Sequence, residues 1–326
     1  MTRALISQGP LSGDEPLADV DMSTDLAGER LPSPVLTASG CAAAGRELDQ
    51  FFDITAIGAI VTKSVMLQPR SGRPTPRMAE TPSGMLNSIG LQGPGIDRFI
   101  EQDLAWLADR GARTIVSIAG GTVDEYGKLA ARLRIARGVS ALEVNISCPN
   151  VEDRGQVFAC DPNAAASVIQ AVRRHSDPRM PIFAKLSPDV TDIVSIAASV
   201  VRAGATGVSL INTLLGMAVD WRKQQPLLGN VMGGLSGPAI KPVALRCVYQ
   251  VAQAVKIPLV GIGGIATIDD VMEFLVAGAT AVQIGTANYY DPTVSQRLVD
   301  ELPAALAQAG VGHVGEIVKT LRDPSS

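Results

Sequence analysis

Leu142-Glu-Val-Asn-Ile-Ser-Cys-Pro-Asn150 is a short apolar strand whose far end abruptly carries amides, a hydroxyl, a thiol and a proline. Side chains alternate between the faces of a strand. Leu142, Val144 and Ile146 therefore share one side, and Glu143, Asn145 and Ser147 the other. Cys148 falls where the strand ends, and Pro149, lacking an N–H, stops it from continuing as a ladder-paired central strand. Most free cysteines are small buried hydrophobes, but Asn145 and Asn150 bracket this one with groups that both donate and accept hydrogen bonds. A core strand gains nothing by ending in unpaired amides; a flat, polar, ring-shaped ligand would satisfy them.

Outward from this stretch, similar apolar runs recur along the 326 residues: 34 to 38, 57 to 63, 113 to 118, 141 to 147, 181 to 186, 207 to 212, 258 to 262 and 281 to 285. Helical periodicity separates them, as in 96 to 110, 124 to 136, 163 to 174, 193 to 203, 239 to 255 and 268 to 277. Near-continuously apolar strands alternating with helices predict an α/β fold, a parallel sheet closed into a (β/α)₈ TIM barrel. A hairpin from Val20 to Leu31 is expected to cap one end. The expected domain plan is a flexible N-terminal segment at 1–18, the barrel at 19–312 and a C-terminal tail at 313–326. The stretches 64 to 95 and 214 to 237, rich in Pro and Gly, read as long irregular βα loops. Such loops lie on the C-terminal face of a barrel, where its sites are built.

Composition narrows the function. Charged residues make up 18% of the chain and the net charge is −4, which gives no basic face for nucleic acid or anionic lipid. Cys41, Cys148, Cys160 and Cys247 form no CxxC pair, which argues against a zinc site, an iron–sulfur cluster or a disulfide framework. Neither histidine, His175 or His313, lies beside a strand end. With no apolar run of signal or membrane length, a soluble, cytoplasmic protein acting on a small molecule is expected.

The strand ends carry polar groups or glycine: Ser39-Gly40, Lys63-Ser64, Ser117, Asn145 to Asn150, Lys185, Asn212-Thr213, Gly263-Gly264 and Gly285-Thr286. Polar residues are common at strand ends, yet a lysine closing an apolar run must find an anion or water. Glycines after the seventh and eighth strands are where barrels bind phosphate. Together these residues point to a phosphate-bearing ligand as large as flavin mononucleotide. Two lysines beside a phosphate site also describe a Schiff-base aldolase, and a barrel that only binds a partner is a third reading.

Five stretches identify a resemblance: Thr37-Ala-Ser-Gly-Cys41, Gly84-Met-Leu-Asn-Ser-Ile-Gly-Leu-Gln92, Asn145-Ile-Ser-Cys-Pro-Asn150, Ile211-Asn-Thr-Leu214 and Gly233-Gly-Leu-Ser-Gly-Pro-Ala239. Over residues 20 to 310 the chain resembles the class 1B dihydroorotate dehydrogenases, FMN enzymes of pyrimidine biosynthesis. That resemblance implies that Cys148 takes the C5 proton of dihydroorotate while FMN takes the C6 hydride. It implies that Lys63, Asn87, Ile89, Gly90, Leu91, Asn145, Asn150, Asn212 and Thr213 hold the substrate. FMN would meet Ser39, Lys63, Ser64, Asn145, Lys185, Ile211, Gly237, Gly263, Gly264, Gly285 and Thr286, with Lys185 offsetting negative charge on the ring. It further implies a homodimer at the core of a heterotetramer, whose second subunit carries FAD and a [2Fe–2S] cluster and reduces NAD⁺. This chain has no clustered cysteines and no Rossmann glycine fingerprint with which to supply those centres itself.

The sequence departs from the family pattern in places. Ser117 stands where an asparagine is usual, which implies a shortened or water-filled contact to the flavin. Gly93 replaces a common asparagine. The lid loop 151 to 160 lacks the usual paired glycines and Phe-Gly, and the N-terminal segment is additional. Another dihydropyrimidine substrate, or another electron acceptor, is the alternative these departures leave open.

Overall fold

The computed structural model describes residues 20–146 and 158–322. Strands β1 (Thr24–Leu26) and β2 (Glu29–Leu31) form an antiparallel hairpin. Its turn places Ala27 and Gly28 at positive φ, and Asp25 Oδ1 accepts the Gly28 N–H at 2.9 Å. Leu26 and Leu31 are buried beside Ile115, Val260 and Ala281. Those three residues stand near the starts of barrel strands, so the hairpin plugs the N-terminal end.

The chain then runs through β3 (Val35–Thr37), β4 (Ile60–Val61), β5 (Met78–Thr81) and β6 (Gly84–Asn87). Helix α1 (Ile96–Arg98) passes through a π-helical stretch, Phe99–Leu104, into α2 (Ala105–Arg110). Next come β7 (Thr114–Ile118), α3 (Val123–Arg134), β8 (Ala141–Asn145), α4 (Pro162–His175), β9 (Ile182–Leu186), α5 (Ile193–Arg202) and β10 (Gly207–Leu210). Four short strands follow: β11 (Leu214–Gly216), β12 (Val219–Asp220), β13 (Gln225–Pro226) and β14 (Gly233–Ser236). The chain ends with α6 (Lys241–Ala254), β15 (Leu259–Ile262), α7 (Ile268–Ala277), β16 (Ala281–Ile284) and α8 (Val294–Gln308). Among the described residues no helix is long and apolar enough to cross a membrane.

Strands β3, β16, β15, β10, β9, β8, β7 and β4 are neighbours in that order, and a parallel bridge from Leu36 to Ala59 joins the two ends. This is the expected (β/α)₈ barrel. Two apolar layers hold it. Leu142, Val144 and Ile146 pack outward with the helices, whereas Leu36, Val61, Phe183 and Val260 fill the interior. The parity read from the sequence therefore holds, and Glu143 and Asn145 belong to the interior face. Helix starts are fixed by short polar caps: Thr122 for α3, Asp161 for α4, Asp192 for α5 and a Thr267–Asp270 capping box for α7.

One stretch differs from expectation. The segments expected to be irregular after β4 and β10 pair with each other as a four-stranded antiparallel sheet, ordered β11-β14-β6-β5. These strands are short and glycine-rich, so they carry little apolar alternation. Their order comes from backbone pairing between distant segments, such as Leu86 opposite Leu235. Helix α8 contains Pro303, which locally reads as a break. Its buried stripe of Val294, Leu298, Leu302 and Leu306 overrides that signal.

Candidate active site

The C-terminal strand ends and the four-stranded sheet enclose a cavity of about 530 Å³, within the range of small-molecule sites. Ser39 enters after β3, Lys63 and Ser64 after β4, and Asn87 at the end of β6 with Ile89, Gly90 and Leu91 beyond it. Asn145 closes β8, Lys185 lies on β9, and Ile211, Asn212 and Thr213 follow β10. Gly237 follows β14, Gly263 and Gly264 follow β15, and Gly285 and Thr286 follow β16. All of these line the one cavity. Cys148 and Asn150 lie outside the described residues, as does most of the expected lid.

One wall is a network of hydroxyls. Ser64 Oγ lies 3.3 Å from Ser39 Oγ and 2.9 Å from Ser117 Oγ, and it accepts the Asn145 side-chain N–H at 3.1 Å. The Tyr126 hydroxyl donates to the Asn145 carbonyl at 2.7 Å, fixing the end of β8 from below. Ser117 is fully buried. Its hydroxyl, where the family usually has an asparagine, bonds to Ser64. Gly93 has room to spare, since an added Cβ would meet only Leu91 O at 4.0 Å.

The opposite wall depends on close backbone approach. Asn87 Nδ2 donates to Gly234 O at 3.3 Å, and a Cβ on Gly234 would collide with the Thr213 side chain. Gly90 has φ +76°, and a Cβ there would meet the Arg73 backbone N at 2.8 Å. Gly263 and Gly264 have φ of +130° and +75°, the backbone region that glycine enters without strain. Thr286 Oγ1 donates to Ser236 Oγ at 2.8 Å, tying β14 to the end of β16.

Charge enters from the barrel interior. Lys185 is 5% exposed, and its Nζ lies 3.6 Å from Oε1 of Glu143, which is 0% exposed. Gln283 Nε2 on β16 donates to Glu143 Oε2 at 2.8 Å. In the sequence alone, Glu143 marks only the parity of β8. A charged residue in an apolar strand, on the face of Asn145, is the local signal that it points into the barrel interior.

Cys41, Tyr289, Ser236 and Arg73 also line the cavity and were not anticipated as site residues. Burial pushes the Cys41 thiol up, although Lys185 and Lys63 pull it down. Burial and the neighbouring Cys41 push the Tyr289 phenol up, and its hydroxyl donates to Gly40 O at 3.1 Å.

Two lysines, carboxamides, hydroxyls and glycines at positive φ form a donor set suited to an anionic, ring-shaped cofactor with hydrogen-bonding edges. The buried ammonium of Lys185 is the feature a purely structural barrel end would not need.

Comparison with known proteins agrees. The family model for dihydroorotate dehydrogenase matches residues 21–306. A Geotalea daltonii protein named dihydroorotate dehydrogenase B (NAD(+)), catalytic subunit, is 51% identical over 306 residues, covering 94% of this chain and 100% of the relative. A Geobacillus kaustophilus protein of the same name is 48% identical over 297 residues, covering 91% and 94%. The crystal structure of DHODH from Eimeria tenella in complex with ferulenol matches with a TM-score of 0.79 at 22% identity, covering 94% of this chain and 90% of the other. That likeness speaks for the fold.

Proposed function

The chain belongs to the dihydroorotate dehydrogenase family, and from that premise we propose that it oxidises (S)-dihydroorotate to orotate in pyrimidine biosynthesis, with FMN as its flavin. The observation that carries this reading is the convergence of Lys63, Lys185, Asn87, Asn145, Asn212 and Thr213 on one cavity. When bound there, FMN supplies the acceptor for the hydride leaving C6 of the substrate.

The chain's own residues do the rest. Cys148 takes the C5 proton, leaving the electron pair of that C–H bond to form the C5=C6 double bond as the hydride departs. A free thiol has a pKa of about 8.5, close enough to neutrality for this transfer once its neighbours tune it. Lys63 offers the substrate carboxylate a cation, and Asn87, Asn145, Asn150, Asn212 and Thr213 offer the ring amide and hydroxyl partners. Ile89, Gly90 and Leu91 supply the wall against which the ring lies. Ser39, Ser64, Ile211 and Lys185 would hold the flavin ring, and Gly237, Gly263, Gly264, Gly285 and Thr286 its phosphate end.

The electrons must leave through a partner. The relatives are named as catalytic subunits of an NAD(+) enzyme. A second polypeptide carrying FAD and a [2Fe–2S] cluster, docked on a homodimer of this chain in the cytoplasm, completes the route to NAD⁺. The family assignment displaces the aldolase and binding-only readings.

The test is product analysis. FMN-loaded protein given dihydroorotate and an artificial electron acceptor is expected to yield orotate, and dihydrouracil in its place should remain unoxidised. Oxidation of dihydrouracil in preference to dihydroorotate would contradict the substrate assignment.

A further inference from the structure

Resting on the cofactor reading above, we propose that Glu143 is a positioning residue that holds the Lys185 ammonium at the cavity wall, so that Lys185 tunes the flavin only while Glu143 is charged. Glu143 and Lys185 sit on adjacent strands, β8 and β9, with their side chains in the barrel interior. The carboxylate is held at both ends. Oε2 accepts from Gln283, which reaches it from β16, while Oε1 accepts no hydrogen bond and lies 3.6 Å from the ammonium.

That distance exceeds a hydrogen bond. The pair is therefore held by charge, and the ammonium keeps its donors for the cavity that Lys185 lines. An apolar residue would often stabilise a buried position as well as or better than an ion pair. Stability alone thus gives no reason for a carboxylate at 143. Gln283 fixes the carboxylate from across the barrel, which limits how far Lys185 can follow it.

If Glu143 acts through Lys185, its effect must vanish when Lys185 is gone, because no ammonium is left for it to position. The experiment is a double-mutant cycle on FMN affinity and on the flavin midpoint potential. Glu143→Gln keeps the shape and removes the charge. It is expected to weaken FMN binding by about tenfold, as for loss of part of a charged contact, and to make the flavin harder to reduce. Glu143→Gln placed on Lys185→Ala should change either quantity by less than about twofold.

Gln283→Met keeps both charges and removes only the amide that orients the carboxylate. It should shift both quantities the same way by less, again only while Lys185 is present, and it serves as the test if Glu143→Gln does not fold. Effects that multiply with those of Lys185→Ala, or a charge-free variant with unaltered affinity and potential, would overturn the inference alone. A wild-type protein that binds no FMN would overturn the cofactor reading and the inference with it.

Discussion

Cys148, the proposed base, and Cys41, which lines the cavity, should differ in their chemistry. Cys148 carries the proposed proton transfer, and a positioned base contributes about 10²- to 10⁴-fold. Cys148→Ser is therefore expected to slow flavin reduction by that order while FMN stays bound; stopped-flow reduction at an unchanged rate would remove the assignment. Cys41 lines the cavity with a thiol pushed up by burial. Peptide-resolved alkylation should show Cys41 staying slow through neutral pH and reacting only in alkali, above the ordinary thiol range of about 8.5. Fast alkylation of Cys41 at pH 7 would contradict its protonated state. At this scale the sequence exposed what breaks a local pattern: a lysine closing an apolar run, or amides beside a thiol. Glu143 breaks its pattern too, but its partner Gln283 lies 140 residues away, and no local spacing announces such a pairing.

The barrel strands were legible because burial on both faces makes them continuous apolar runs, and their helices announce themselves by period and cap. The sheet over the mouth was not, because β6, β11 and β14 draw their order from one another. Gly234 shows how directly that sheet shapes the site. Gly234→Ala forces Thr213 aside and disturbs the Asn87 contact. It is expected to raise KM for dihydroorotate about tenfold and to cost about 1–3 kcal/mol of stability, the usual range for overpacking. Steady-state kinetics and urea unfolding measure both, and an unchanged KM would mean that Thr213 does not set substrate binding. At the start of α7, Asp270 binds Lys241 Nζ at 2.5 Å and accepts from the N–H groups of Ala266 and Thr267 at 2.9 and 2.8 Å. Burial raises its carboxyl, but these bonds outweigh burial and hold it below the usual carboxylate range. A depressed carboxyl stabilises the fold above its unfolded pKa of about 3.9, and the gain is lost as pH falls through the folded value. Asp270→Asn should cost about 1–3 kcal/mol at pH 7, with the gap to wild type closing below about pH 4. A gap that persists in acid would assign the loss to packing instead.

At the scale of the whole molecule, the proposed reaction is half of a redox relay. The purified chain should turn over dihydroorotate with an artificial acceptor yet fail to reduce NAD⁺ until a partner subunit is supplied. NAD⁺ reduction by the chain alone would contradict the need for a partner. The architecture was readable from the count and spacing of apolar runs. The proposed partner was not, since no local pattern in this chain marks a surface for another polypeptide. The most direct measurement is the visible spectrum of the FMN-loaded protein as dihydroorotate is added without oxygen. Loss of the oxidised flavin band is expected, with orotate formed in proportion; a flavin that binds in the cavity and stays oxidised in excess dihydroorotate would refute dihydroorotate oxidation by this chain.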